Sequence, residues 1–243
     1  MCQVLGISYA KPSHFNKAWD KFRMRADKNP DGWGIAYGGS QGLTVVKEPH
    51  RADWSPLAAA IGMAPLPAPM MIGHIRRATR GVFALVNTHP FFAQAGGRDW
   101  AMVHNGSLSG YGYSPGQHGQ TDSEAFFLRF VDQLDSSGQG HPYDVAEVVA
   151  EEIQDAGRHG KLNILLTDGE SLFVHTNLPG SLYQLQTRAG IMLCSKPLTR
   201  QRGWKPVETN RVFIYQAGEF VYRTSVIHSA NSEYTDFQWV THF

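Results

Sequence analysis

Met1-Cys2-Gln3-Val4-Leu5-Gly6-Ile7-Ser8-Tyr9 opens the chain. Val4 to Tyr9 is an apolar run with branched and aromatic side chains, the composition of a buried strand. The cysteine stands directly before that strand and directly after the initiator methionine. Removal of Met1 would leave a thiol and a free α-amine on one residue. An α-amine titrates near pH ~8, so much of it can accept a proton at neutral pH, where a lysine could not. Cys2 would then be a nucleophile carrying its own base. The plainer reading is a small buried cysteine at the start of a strand, and position alone does not separate the two.

Working outward, Pro12-Ser13 predicts a helix start, with Phe15, Trp19 and Phe22 forming one apolar stripe. After the Asn29-Pro30-Asp31-Gly32 turn, Trp33–Tyr37 and Leu43–Lys47 read as a hairpin joined through Gly38–Gly42. Trp54–Met63 reads as a short helix closed by the proline-rich Ala64–Pro69. Strands are expected at Met70–Ile75 and Trp100–Val103, and helices at Ser123–Leu134 and Val145–Ala156. From Leu162 to Ser225 short apolar runs alternate with turns such as Asp168-Gly169 and Ala217-Gly218. Strands, then helices, then strands again predict an α+β fold of two stacked sheets with helices packed outside. No repeat or linker divides residues 1–243, so a single domain is expected, 2–243 once Met1 is lost.

Of 243 residues, 42% are apolar, which excludes global disorder. Twenty-two basic against twenty-one acidic residues give a formal charge of +1. That balance supplies no field for nucleic acid or an acidic membrane, so function must come from a local site. Two cysteines, Cys2 and Cys194, make no disulfide framework. With no signal-peptide pattern and no apolar run of membrane length, the chain reads as a soluble cytoplasmic protein without a membrane partner.

Four further stretches carry chemistry. His104-Asn105-Gly106 follows a strand; Asn-Gly is a hairpin signal, but Ser107–Gly112 makes a poor return strand. The alternative is an oxyanion hole built from the Asn105 carboxamide and the Gly106 N–H, each such donor contributing about 3 kcal/mol to transition-state binding. Gly73-His74-Ile75-Arg76-Arg77-Ala78-Thr79-Arg80-Gly81 ends a strand in three arginines. These form either a solvated face or a grip on a carboxylate. Asn87-Thr88-His89-Pro90 follows. Thr121-Asp122-Ser123-Glu124 is ordinary helix-start chemistry, or places Asp122 against a ligand ammonium. His74, His89 and His104 lie on separate segments without metal-ligand spacing, and no cofactor or metal is expected.

Taken together and in this order, the motifs resemble the class II glutamine amidotransferases, which are N-terminal-nucleophile hydrolases. Asp31-Gly32-Trp33-Gly34-Ile35 brings the resemblance nearest to the short, stand-alone bacterial members and to the related fungal glutaminase-like subunit that degrades glutathione. The motifs span Cys2 to Glu124, about half of the chain. The resemblance implies a four-layer αββα sandwich of two mainly antiparallel sheets. It implies that Cys2 attacks the amide carbon of glutamine or a γ-glutamyl compound, forming a thioester. Asn105 and Gly106 would hold the oxyanion, Arg76 the α-carboxylate and Asp122 the α-ammonium, with Thr79 and His89 lining the pocket. Arg77 replaces an aromatic residue of the sugar-phosphate-aminating members and Arg80 a histidine. Nothing after Glu124 reads as an acceptor domain, so ammonia would pass to a separate ammonia-accepting or peptidase subunit, or simply be released. The competing reading is a catalytically inactive glutaminase fold that binds an amino-acid ligand or a partner protein.

Overall fold

The computed structural model describes residues 1–108, 112–137, 140–157 and 160–228. In chain order the strands are β1 (Gln3–His14), β2 (Trp33–Gly39), β3 (Gly42–Glu48), β4 (Pro67–Ile75), β5 (Phe91–Ala95), β6 (Arg98–His104), β7 (Ser107–Leu108), β8 (Gly160–Lys161), β9 (Asn163–Thr167), β10 (Ser171–Thr176), β11 (Tyr183–Gln186), β12 (Gly190–Cys194), β13 (Lys205–Pro206), β14 (Val212–Gln216) and β15 (Glu219–Arg223). The helices are α1 (Asn16–Arg23), α2 (Pro56–Met63), α3 (Asp122–Ser137) and α4 (Pro142–Gly157).

Seven strands form one antiparallel sheet in the order β13-β11-β12-β1-β4-β2-β3, and six form a second in the order β15-β14-β10-β9-β6-β5. Three apolar clusters fix the layering. Val4, Ala36, Met70 and Ile72 of the first sheet meet Ala101, Val103, Leu165 and Leu172 of the second. The outer face of the first sheet packs Leu5, Ile7 and Ile35 against Trp19 and Phe22 of α1 and Ile61 of α2. The outer face of the second packs Trp100, Ile164 and Phe173 against α3 and α4. The result is the four-layer αββα sandwich, in which β1 alternates its side chains between two cores as a fully covered strand must.

Trp19 fixes α1 in place. Its indole N–H donates to the Ala58 carbonyl of α2 at 2.8 Å, and its ring lies 5.3 Å from that of Trp33. Ser55 caps α2 by accepting from the Ala58 N–H, ahead of a proline at the first turn.

The structure departs from the sequence reading at the start of α1 and at Phe91–Ala95. The chain stays extended through His14, because Ser13 and His14 pair with Ala68 and Pro67 after a register shift, so α1 begins at Asn16 and not at Pro12-Ser13. Phe91–Ala95 is a strand as well, zipped onto β6 from Phe91↔Met102 to Ala95↔Arg98. The Asn105-Gly106 step does not turn β6 back on itself: Ser107–Leu108 pairs instead with β8, which leads into β9. No helix among the described residues is long and apolar enough to cross a membrane.

Candidate active site

Cys2 precedes β1 at the centre of the first sheet, and β4 beside it delivers His74, Arg76 and Arg77 to the same end. Cys2 is partly buried. Its sulfur accepts from the Arg77 backbone N–H at 3.2 Å and donates to the Arg77 carbonyl at 3.3 Å. Burial pushes the thiol up from its ordinary range, while the Arg77 N–H, the chain's terminal ammonium and the Arg76 charge pull against it.

The Arg77 amide is fixed from behind by the Asp31-Gly32 turn. Asp31 N–H donates to the Arg76 carbonyl, Arg76 N–H to the Gly32 carbonyl, and the Asp31 carboxylate accepts from Ala78 N–H at 2.7 Å. Gly34 lets the next layer approach: a Cβ there would lie 2.3 Å from the His89 carbonyl. The Asp-Gly-Trp-Gly stretch is thus the mould for both the Arg76–Ala78 exit and the Thr88–Pro90 loop.

Of the seven residues named from sequence, Cys2, Arg76, Thr79, His89, Gly106 and Asp122 line one cleft, together with Arg77, Arg80, His74 and His104. Asn105, next to Gly106, is not among the lining residues; it is buried, its backbone held to Asn163 in both directions and its side-chain N–H donated to the Ser195 hydroxyl at 3.3 Å. The cleft is narrow, with a cavity of about 30 Å³.

Arg76 is buried and its two terminal nitrogens face carbonyls: Arg80 at 2.7 Å, with Gly81, Val82 and Asp31 at 3.3–3.4 Å. It braces the loop that carries Thr79 and Arg80, both exposed. Asp122 accepts from Leu108 N–H at 2.6 Å on one oxygen and, on the other, from Ser123 N–H at 2.8 Å and the Ser123 hydroxyl at 3.3 Å. A carboxylate has about four acceptor sites, so this leaves room for a cationic donor. The rest of Thr121–Glu124 is structural: the Thr121 hydroxyl caps the Glu124 N–H, Ser123 bonds His104, and Glu124 accepts from His118 and Gly119.

Three histidines form the floor. His74 and His89 stack with centroids 4.2 Å apart, and neither ring nitrogen of either has a partner among the described residues. Burial, then the neighbouring charges of His104 and Arg76, push His74 down to about 3, and burial likewise takes His89 well below its ordinary value. Both are neutral at pH 7. Among the described residues no group of three His, Cys, Asp or Glu could hold a metal ion.

Sequence reasoning passed over Asp31 as a side-chain anchor, Lys47 and Ser195. Lys47 donates to the Thr88 and Pro90 carbonyls at 2.8 and 3.1 Å, flanking His89. Its signal was readable: period-2 alternation puts Lys47 on the same face of β3 as the core-packed Leu43 and Val45.

The layered fold is shared with structures already solved. A crystal structure of a "predicted glutamine amidotransferase" from Pseudomonas aeruginosa superposes with a TM-score of 0.67 at 24% identity, covering 91% of this chain and all of that one. The sequence model for class-II glutamine amidotransferases matches residues 1–189. The "Putative glutamine amidotransferase YafJ" of Escherichia coli is 33% identical over 73% of this chain and 74% of its own length. The "Probable glutamine amidotransferase DUG3" of Saccharomyces cerevisiae is 25% identical over 92% of this chain and 80% of its own. The chain belongs to the class II glutamine amidotransferase family.

Proposed function

We propose that the protein hydrolyses the γ-amide of glutamine or of a γ-glutamyl compound through a thioester on Cys2, once Met1 is removed. The observation that carries this reading is the convergence on one cleft of Cys2, the Gly106 amide, Asp122 and the arginine-rich loop. The freed α-amine takes the thiol proton as sulfur bonds to the amide carbon. The oxyanion is held by the Gly106 N–H and the Asn105 carboxamide. As the C–N bond breaks, the protonated amine gives its proton to the departing nitrogen, leaving ammonia and a γ-glutamyl thioester. Water, deprotonated by the same amine, then releases glutamate and restores the thiol.

Asp122 takes the substrate ammonium, and Arg76 the α-carboxylate, which displaces the loop carbonyls from its guanidinium. The narrow cleft therefore opens at Arg77–Val82 when substrate binds. Thr79 and His89 line the resulting pocket. Arg77 and Arg80 stand at the rim, where they suit the second carboxylate of a γ-glutamyl peptide. Ammonia is released to solvent or passed to a separate acceptor or peptidase subunit.

The test is labelling with a glutamine-mimicking electrophile and mapping of the adduct, with intact mass to establish loss of Met1. A single adduct at Cys2, blocked by substrate and absent from Cys2→Ala, is expected. An adduct at Cys194, or none in trimmed protein, overturns the reading. Turnover of glutamine against glutathione and γ-glutamyl dipeptides tests the rim arginines; a strong preference for free glutamine removes their role.

A further inference from the structure

Ser195 lies in a part of the chain that the family model, which matches residues 1–189, does not reach. It follows Cys194 at the end of β12, where Leu5↔Cys194 is the last ladder pair with β1. Its N–H continues the ladder by donating to the Val4 carbonyl at 3.1 Å. In the reverse direction the Val4 N–H goes to the Ser195 hydroxyl at 2.9 Å and not to a backbone carbonyl. The other lone pair of that oxygen receives the Asn105 side-chain N–H at 3.3 Å. The residue is buried, and the turn that carries it is pinned by Arg25, whose guanidinium donates to the Lys196 and Pro197 carbonyls.

One oxygen therefore joins the strand that begins beside Cys2 to the carboxamide at the end of β6. A carboxamide has two N–H donors. With one committed to Ser195, the plane of the group is set, and the second meets no acceptor among the described residues. We infer that Ser195 is a positioning residue, which fixes the Asn105 carboxamide against the nucleophile strand so that its free N–H meets the oxyanion. This rests on the Cys2 reading and extends it. Ser195 touches no substrate; it acts through Asn105, in the transition state more than in the ground state.

The experiment is steady-state γ-amide hydrolysis by Ser195→Ala, Ser195→Cys and Ser195→Thr, with thermal unfolding of each. Ser195→Ala is expected to lower kcat ~10-fold or more with KM within about twofold, because only oxyanion binding suffers. Ser195→Cys fills the space with a weak acceptor and should show a similar loss in a folded protein, which keeps the test open if the alanine variant fails to fold. Ser195→Thr should recover most of kcat. In an Asn105→Ala background the Ser195→Ala loss should vanish, whereas a merely structural role would lower activity equally in both backgrounds. Hydrolysis by the parent protein with kcat unchanged in Ser195→Ala, or an equal loss in both backgrounds, overturns this inference alone. Absence of γ-amide hydrolysis in trimmed parent protein overturns the Cys2 reading and this inference with it.

Discussion

Gly106 shows how tightly the backbone closes around the Cys2 cleft. A Cβ there would lie 1.7 Å from the Lys161 carbonyl and 2.5 Å from His104 Nε2. Neither can retreat, since Lys161 is paired through β8 and the His104 ring is held by Ser123 at 2.8 Å and the Lys161 carbonyl at 3.0 Å. Gly106→Ala is expected to cost about 2–4 kcal/mol of folding stability and to abolish hydrolysis. Gly112→Ala, where a Cβ meets nothing within 4 Å among the described residues, should change stability by less than about 0.5 kcal/mol. Urea unfolding of both variants checks the pair; equal midpoints would show that the β7–β8 crossing has slack. At this scale most of the cleft lining was named from sequence, but through the order of the motifs and the family they resemble, since Cys2, Gly106 and Asp122 each fit an ordinary strand start, turn or cap when taken alone. Ser195 was not, because what makes it matter is a contact with a residue 90 positions away.

Lys47 belongs to the scale of elements, since it ties an edge strand to a loop of the other sheet. Burial lowers its pKa from the ordinary lysine value, and the nearby Glu124 charge partly restores it. Its ammonium still bonds two carbonyls and lies 5.7 Å from the centre of the Phe91 ring. Lys47→Met keeps the stem and removes the bonds. It is expected to loosen Thr88–Pro90, cost about 1–3 kcal/mol, and raise KM more than it lowers kcat, because His89 borders the pocket and not the reacting bond. An unchanged KM would place His89 outside the substrate's reach. Strands and helices with clean periodicity, such as Val4–Tyr9 and Val145–Ala156, were readable from sequence. Phe91–Ala95 was not: only Phe91 and Ala95 are buried, and the run acquires its meaning from pairing with β6. The end of β1 escaped for a similar reason, as Ser13 and His14 stay extended only because β4 pairs with them.

For the whole molecule, the sandwich buries four histidines, and burial disfavours the charged form of each. His74, His89, His104 and His175 are all buried. Desolvation is the largest cause of depression in each, taking His74 to about 3 and His175 to about 4. Their unfolded values lie near ~6.5. As the pH falls through that value the unfolded chain takes up protons that the folded one refuses, so stability is full above pH ~6.5 and drains away as the pH falls toward the folded values. His74 and His175 each add a slope approaching about 1.4 kcal/mol per pH unit, the two together about 3, against the roughly 5–15 kcal/mol that holds a typical domain folded. Carboxylates bind few protons above pH ~5, so the interval from pH 6.5 to 5 isolates the imidazoles. Urea midpoints are expected to be level between pH 8 and 7 and to drop steeply from 6.5 to 5. His175 lies on β10 outside the cleft, bonded only through Nδ1 to the Arg211 carbonyl, its Nε2 without a partner among the described residues. His175→Gln should shallow the slope by up to about 1.4 kcal/mol per pH unit while leaving γ-amide hydrolysis at pH 8 intact. A level profile through pH 5 would mean that the sandwich opens enough to let these rings charge in the folded state.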